Sequence, residues 1–288
     1  MAIFCSMFPL PPKITASPCT NTLLIRRASF FLLALQAGLS PILYRVYVGR
    51  SVVTTAYAIC SEVIKFILSA CLLTLSGEWG AIFGGWDIKE SIRLVGFPAI
   101  VLSFQSIITQ IAYANLEPLT FTLLNQSKTV FTAIFVYILL GRKQSLQQIA
   151  ALVLLVTAAG ILASSSSSGR DRARVPGLFW AGVAPALVGA CLSGFSAALC
   201  QRSLQAGGGR SAVLFSLEVS VYSGVFMLMS LVFSPDGAQV RSTGFFTGFE
   251  PGILISLLCL ASGGILVGLV TRYAGSVEKG FAMELGIL

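Results

Sequence analysis

The sequence predicts an all-α, polytopic membrane protein. Three observations carry that: the 288 residues are 56% hydrophobic and only 10% charged, the charges are gathered in short clusters, and the runs between clusters approach the roughly 20 residues that cross a bilayer. A soluble domain carries about 25% charged residues, spread over the outer faces of its helices. Water is therefore not the main solvent of this chain.

Apolar runs place spans at 28–49, 52–75, 92–113, 119–140, 146–164, 177–201, 212–234 and 252–274. A ninth begins near Ser276 and is cut short at Leu288, which leaves room for about 18 Å of helix. Before the first span, residues 1–27 hold Pro9, Pro11, Pro12 and Pro18 without a long apolar core, so a cytosolic tail is expected rather than a cleaved signal. No acidic residue precedes Glu62, which keeps an organelle transit peptide open.

With the N-terminus in the cytosol, Lys13, Arg26, Arg27, Lys89, Arg93, Arg142, Lys143, Arg202 and Arg210 fall on the cytosolic side. Arg50, Arg170, Arg172, Arg174 and Arg241 fall opposite, and this asymmetry favours an N-terminus inside. The net charge of +8 is the charge of helix ends, since no basic stretch interleaved with aromatics offers a nucleic-acid surface. The absence of histidine counts against the common catalytic triads and histidine-held metals, and neither a cofactor nor a metal is expected. The cysteines within apolar runs lack CxxC spacing and read as small buried hydrophobes.

Helix packing is legible too. Gly182, Ala186, Ala190, Gly194 and Ala198 recur every four residues in the sixth span, and Gly264 with Gly268 forms a GxxxG in the eighth, so both are expected to meet other helices closely.

A charge near the bilayer centre costs about 2.5–3.5 kcal/mol and asks for a partner or a watery cavity. Glu62 and Lys65, three apart in the second span, can pair with one another or offer the lysine to an anion. In the fourth span Phe121, Asn125, Lys128 and Thr132 share one face, with Thr122, Gln126 and Thr129 beside them; amides and hydroxyls around a lysine suit an anionic ligand with hydrogen-bonding edges, or a polar contact between helices. Glu218, with Tyr222 one turn on, can partner a lysine, bond sugar hydroxyls or carry a proton. Arg272, Glu278, Lys279 and Gly280 lie where the eighth span gives way to the ninth. Arg272 and Lys279 there either snorkel or line a cavity, and matched lysines at 128 and 279, one per half, fit an inverted-repeat transporter.

The chain resembles the nucleotide-sugar transporter family, in the branch of the CMP-sialic acid, UDP-galactose and UDP-N-acetylglucosamine transporters. The resemblance runs from about Gln36 onward. It rests on Ser61-Glu62-Val63-Ile64-Lys65, Ala114-Asn115-Leu116 leading to Gln126-Ser127-Lys128, Leu192-Ser193-Gly194-Phe195, Ser234-Pro235-Asp236-Gly237, Gly244-Phe245-Phe246, Gly263-Gly264, Arg272-Tyr273 and Lys279-Gly280-Phe281. It implies two inverted five-helix repeats, here 28–164 and 177–288 with the second incomplete, joined by a Ser/Arg-rich loop at 165–176. It implies exchange of a nucleotide sugar for the matching nucleoside monophosphate across a Golgi or endoplasmic reticulum membrane, with Lys128 and Lys279 on the phosphates and Glu62 and Lys65 in the same cavity.

By the resemblance, Gln105 and Ser193 join that cavity, with Glu62, Gly263, Gly264 and Arg272 as supporting residues. Departures bear on specificity: Gln105-Ser106-Ile107 stands where the family reads Gln-Asn-Asn, Gln201-Arg202 where Glu-Lys is common, Phe215-Ser216 for an Arg-Asn pair, and Phe121 for an aromatic that often carries a hydroxyl. UDP-linked N-acetylhexosamine or galactose, exchanged for UMP, is the expected cargo. The alternatives are a truncated non-transporting relative or regulatory partner, a transporter of other phosphorylated metabolites, and a membrane enzyme using Glu62, Glu218 and Asp236. Besides cargo, membrane lipids and a homo- or hetero-oligomeric assembly are the expected partners, and nucleic acid is not.

Overall fold

The computed structural model describes residues 20–49, 52–77, 79–80, 85–116, 118–146, 148–150, 153–154, 157, 179–205 and 211–287. Most of the fifth expected span, the 165–176 loop with Arg170, Arg172 and Arg174, and the isolated Lys13, Arg50 and Arg210 lie outside these residues, as does the tail before Thr20. Among the described residues every regular element is helical. The elements are α1 (Thr20–Tyr47), α2 (Thr54–Ser76), α3 (Ile88–Ser91), a π-helical turn (Ile92–Gly96), α4 (Phe97–Asn115), α5 (Pro118–Leu140), a second π turn (Phe179–Val183), α6 (Ala184–Gln205), α7 (Ala212–Phe233), α8 (Pro235–Thr243), α9 (Ile253–Tyr273) and α10 (Ser276–Ile287).

Five stretches among the described residues are long and apolar enough to cross a membrane: Arg26–Tyr47, Thr54–Ser76, Ala184–Gln205, Ala212–Phe233 and Ile253–Tyr273. They coincide with the first, second, sixth, seventh and eighth expected spans. The third and fourth are present as α4 and α5, the latter with a shorter apolar stretch at Leu124–Leu140. α10 starts at Ser276, where the partial ninth span is expected. α1 starts at Thr20, inside the expected tail.

The backbone groups into two compact units, Met1–Ile100 with Ser203–Leu288, and Val101–Arg202. In the first, helices from both ends of the chain interleave: α1 packs on α9 and α10, and α2 on α7 and α9. One apolar cluster joins Val52 and Tyr57 to Ile253 and Leu257; a second joins Leu33, Val270 and Ala282. Around these clusters large apolar side chains stay outside, Phe31, Leu75, Met229 and Phe233 among them. In water such faces would aggregate; in lipid they are the solvated surface.

Backbone breaks are compensated from a distance. Pro98 has no N–H to offer the carbonyl of Leu94, four residues back, and the hydroxyl of Ser203 donates to that carbonyl instead. Immediately before it the chain widens into the π turn, in which the Phe97 N–H bonds the Ile92 carbonyl. The expected third span at 92–113 is therefore an α-helix entered through a π turn, for a reason that lies in a single proline. Likewise α2 begins with no capping side chain of its own. Asp236 of α8 supplies the cap, accepting from the Thr55 N–H at 3.3 Å and the Thr55 hydroxyl at 2.5 Å.

In the second unit the small-residue stripe of α6 is buried along its length: Ala186 and Ala190 are 4% and 1% exposed, Ala198 is fully enclosed, and Gly182 and Gly194 are buried. Gly194 lies against α5 so closely that a Cβ there would sit 2.6 Å from the Thr132 nitrogen and 2.7 Å from the Phe131 carbonyl carbon. Gly189 meets the Thr109 hydroxyl of α4 and Gly182 the side chain of Leu116, just after that helix. Phe135 and Phe195 add an edge-to-face contact with ring centroids 5.3 Å apart.

At Gly194 the obstructing atoms are backbone and cannot rotate away. Gly194→Ala is expected to destabilise the protein by about 1–3 kcal/mol through overpacking, whereas Gly189→Ala, facing a rotatable hydroxyl, costs less. Thermal unfolding of the purified protein in detergent checks the order; equal melting temperatures for the two variants would contradict the packing described.

Candidate functional site

Charges and amides on the inner helices of the first unit find partners at close range. On α2, Nζ of Lys65 lies 2.7 Å and 2.8 Å from the two carboxylate oxygens of Glu62, and both side chains are largely enclosed, 13% and 12% exposed. The i,i+3 spacing places them on one helical face. Across from them, Gly264 of α9 makes room for the lysine: a Cβ at 264 would lie 2.6 Å from Cε and 3.0 Å from Cδ of Lys65. Gly263, beside it, makes the same allowance for the Gln36 amide of α1. That amide donates to the Ser40 hydroxyl at 2.7 Å and to the Cys259 carbonyl at 3.2 Å. The glycine pair thus lets two polar side chains from two helices approach a third.

Glu218 and Tyr222, the expected pair on α7, are joined by residues that sequence reasoning did not single out. Glu218 is 5% exposed. Its Oε1 accepts from the Trp86 indole N–H at 2.8 Å and from the Ser91 hydroxyl at 2.7 Å. Because the single hydroxyl hydrogen of Ser91 goes to the carboxylate, the Tyr222 hydroxyl, 3.0 Å away, is the donor to Ser91. The chain Tyr222 to Ser91 to Glu218 is polarised in one direction, each bond strengthening the next. It ties α7 to the segment ahead of the π turn, whose Gly96 lies against the Tyr222 ring.

Lys279 closes the first turn of α10 and Gly280 follows it, near a helix end that favours negative charge. The turn from α9 is made at Gly275, with φ of 102°, where a side chain would be strained. Upstream, the buried Gln205 amide donates to the carbonyls of Thr271 and Arg272 at 2.8 Å and 3.0 Å, satisfying the end of α9. The Arg272 guanidinium lies 5.6 Å from the centroid of the Tyr273 ring.

The second unit holds the rest of the predicted residues. Asn125, Gln126 and Lys128 on α5 are half-buried, while Thr129 and Thr132 are 1% and 5% exposed. The face shared by Phe121 and Thr132 is partly a packing face, since Phe121 lies against Ala112, Leu116 and Ala186, and Gly194 covers Thr132. Among the described residues, Oε1 of Gln126 is buried without a hydrogen-bond partner, and an acceptor in that position costs about 1–3 kcal/mol until a donor arrives. Gln105 donates to Thr109 at 2.9 Å, and Ser193 is half-buried on α6.

Gln36 stood alone as an amide in an apolar run and carried a readable signal. Trp86 and Ser91 carried none, because their partner lies 132 and 127 residues away.

A family model described as nucleotide-sugar transporter matches residues 23–288. The UDP-N-acetylglucosamine transporter ROCK1 of Arabidopsis thaliana is 36% identical over 260 residues, which cover 89% of this chain and 79% of that protein. The UDP-galactose translocator of Homo sapiens is 33% identical over 195 residues, 66% of this chain and 48% of that one. The UDP-N-acetylglucosamine transporter of Homo sapiens is 28% identical over 200 residues, 69% and 61% of the two chains.

Removing the Ser91 hydroxyl takes a donor from a buried carboxylate and leaves Tyr222 without its acceptor. Ser91→Ala is expected to cost about 1.5–3 kcal/mol, and Glu218→Gln in that background to recover part of the loss. Melting temperatures of the two variants test this, and an unchanged value for Ser91→Ala would show that the network is not formed.

Proposed function

Since the chain belongs to the nucleotide-sugar transporter family, we propose that it moves a UDP-linked N-acetylhexosamine or galactose across a Golgi or endoplasmic reticulum membrane in exchange for UMP, with its N-terminus in the cytosol. The observation that carries this reading is Lys65, an ammonium enclosed among membrane-spanning helices, paired with Glu62 and given room by a glycine of α9. A nucleotide sugar brings negative phosphates, hydroxyls and amides that hydrocarbon would exclude. A transporter for it needs interior positive charge that stays compensated when the cargo is absent, and Glu62 supplies that compensation.

In this proposal Lys65, Lys128 and Lys279 meet the phosphates. Asn125, Gln126 and Thr129 of α5, with Gln105, Ser193 and Phe121, meet the base and sugar, and the Gln126 oxygen, without a partner among the described residues, offers an acceptor to an N–H or O–H of the cargo. Glu218 and Tyr222 reach the cargo by exchanging their bonds to Ser91, and Gly280 lets phosphate approach the α10 backbone. Two inverted repeats, 28–164 and 177–288, belong to the same proposal. The named cargo of the relatives, UDP-N-acetylglucosamine and UDP-galactose, supports the choice of a UDP-sugar. The three carboxylates that an enzyme reading would use take part in bonds of the fold: Glu62 with Lys65, Glu218 with Trp86 and Ser91, Asp236 with Thr55.

Reconstituting the full chain in liposomes preloaded with UMP tests the proposal. Uptake of labelled UDP-N-acetylglucosamine or UDP-galactose is expected to depend on internal UMP. Lys128→Ala and Lys279→Ala are each expected to reduce it about tenfold or more, the cost of one charge-assisted contact to phosphate. No uptake by folded protein would indicate a non-transporting relative or partner, and uptake of simple sugar phosphates alone would indicate a different cargo class.

A further inference from the structure

The end of α7 and the short helix α8 carry an arrangement that the transport reading does not use. Along α7, Val225, Leu228, Met229 and Val232 recur at three- and four-residue steps and are all exposed, so they form one apolar stripe on a membrane-spanning helix. Phe233, the last residue of the span, is 90% exposed. Directly after it α8 brings Asp236, Gln239, Arg241, Ser242 and Thr243, side chains suited to a headgroup layer. Nη1 of Arg241 reaches back and donates to the Val232 carbonyl at 3.3 Å. That carbonyl belongs to the last turn of α7, where no further helical N–H is available. The guanidinium is thereby held at the end of the exposed stripe.

We propose that Arg241 binds the phosphate of a membrane phospholipid whose acyl chain lies along the Val225–Val232 stripe of α7. Among the described residues no carboxylate lies within ion-pair reach of Arg241, and Asp236, the acid of α8, is turned to Thr55 of α2. A guanidinium presents several N–H groups in one plane, and with one given to Val232 the others suit the two unesterified oxygens of a phosphodiester. The site is fixed by the fold. A Cβ at Gly237 would overlap the Leu231 carbonyl oxygen, so α8 is folded tightly against the end of α7, and the Ser234 hydroxyl accepts from the Gly237 N–H at 3.3 Å. Because Asp236 also caps α2, a phosphate on Arg241 steadies the helix that closes the start of α2.

The test uses the full chain purified in dodecyl maltoside, which has no phosphate. Melting temperature is read with phosphatidylglycerol, with a galactosyl diacylglycerol of the same acyl chains, and with soluble glycerol phosphate. Phosphatidylglycerol is expected to raise the wild-type value by about 2–4 °C more than the galactolipid does. Arg241→Gln is expected to lose that difference while melting close to wild type in detergent alone. An equal gain from the two lipids would leave only acyl packing and overturn the proposal. So would a phospholipid gain that persists in Arg241→Gln, which places the phosphate elsewhere. A gain from glycerol phosphate that matches phosphatidylglycerol and vanishes in Arg241→Gln would make the ligand a free phosphate and overturn the lipid assignment. If Arg241→Gln melts lower in detergent alone and gains as much from phospholipid as wild type, the arginine is a structural brace and the proposal falls.

Discussion

Hydrocarbon offers no hydrogen bonds and hardly any solvation for charge, so each polar group on an inner helix must be met by another group of the protein or by cargo. The Glu62–Lys65 pair is the clearest consequence. The ammonium is enclosed, its counter-charge is on the same helical face, and the facing helix gives up its side chain at Gly264 to admit the stem of the lysine. Glycine at 264 therefore leaves room for the lysine as it lies in the ion pair, and the ion pair compensates the charge of a lysine kept in the bundle. An interior charge balanced in this way can be lent to an anion and recovered after it leaves.

The same constraint organises the rest of the first unit. Pro98 frees a carbonyl that Ser203 takes up, α2 lacks a cap that Asp236 provides, and the end of α9 is closed by the Gln205 amide. Glu218 sits within a donor chain that begins at Tyr222. These bonds join helices from the two ends of the chain, and α1 and α2 pack on α7, α9 and α10. Each polar contact costs an apolar bundle little once formed and a good deal when half-formed. Polar positions and close-packing glycines consequently come as sets.

What the sequence revealed follows from this physics. Local periodicities were readable: the four-residue repeat of small residues on α6 predicted a closely packed face, and α6 is buried along it. The three-residue spacing of Glu62 and Lys65 allowed a pair, and the pair is made. Membrane-length runs were readable because hydrophobicity is additive along a helix. Unreadable were the partners set by tertiary distance: Arg26 and Glu278 lie 252 residues apart, Ser203 and Leu94 109 apart. The π turn before α4 was hidden for a related reason, since Pro98 announces a missing hydrogen bond without saying how the backbone absorbs it. On α5, Thr132 and Phe121 also serve packing, and the choice between ligand and helix contact stays open in the sequence because a polar or aromatic residue on a helix face does not reveal what covers it.

Family membership and interior positive charge together make one central claim, that the bundle recognises a nucleotide through its phosphate. Thermal stability of the wild-type chain in the presence of UMP and of uridine, at equal concentrations, tests it most directly. A ligand that binds only the folded state raises the melting temperature in proportion to its affinity. UMP is expected to raise it by several degrees and uridine, which lacks the phosphate, hardly at all. Equal stabilisation by both, or by neither, would contradict the account.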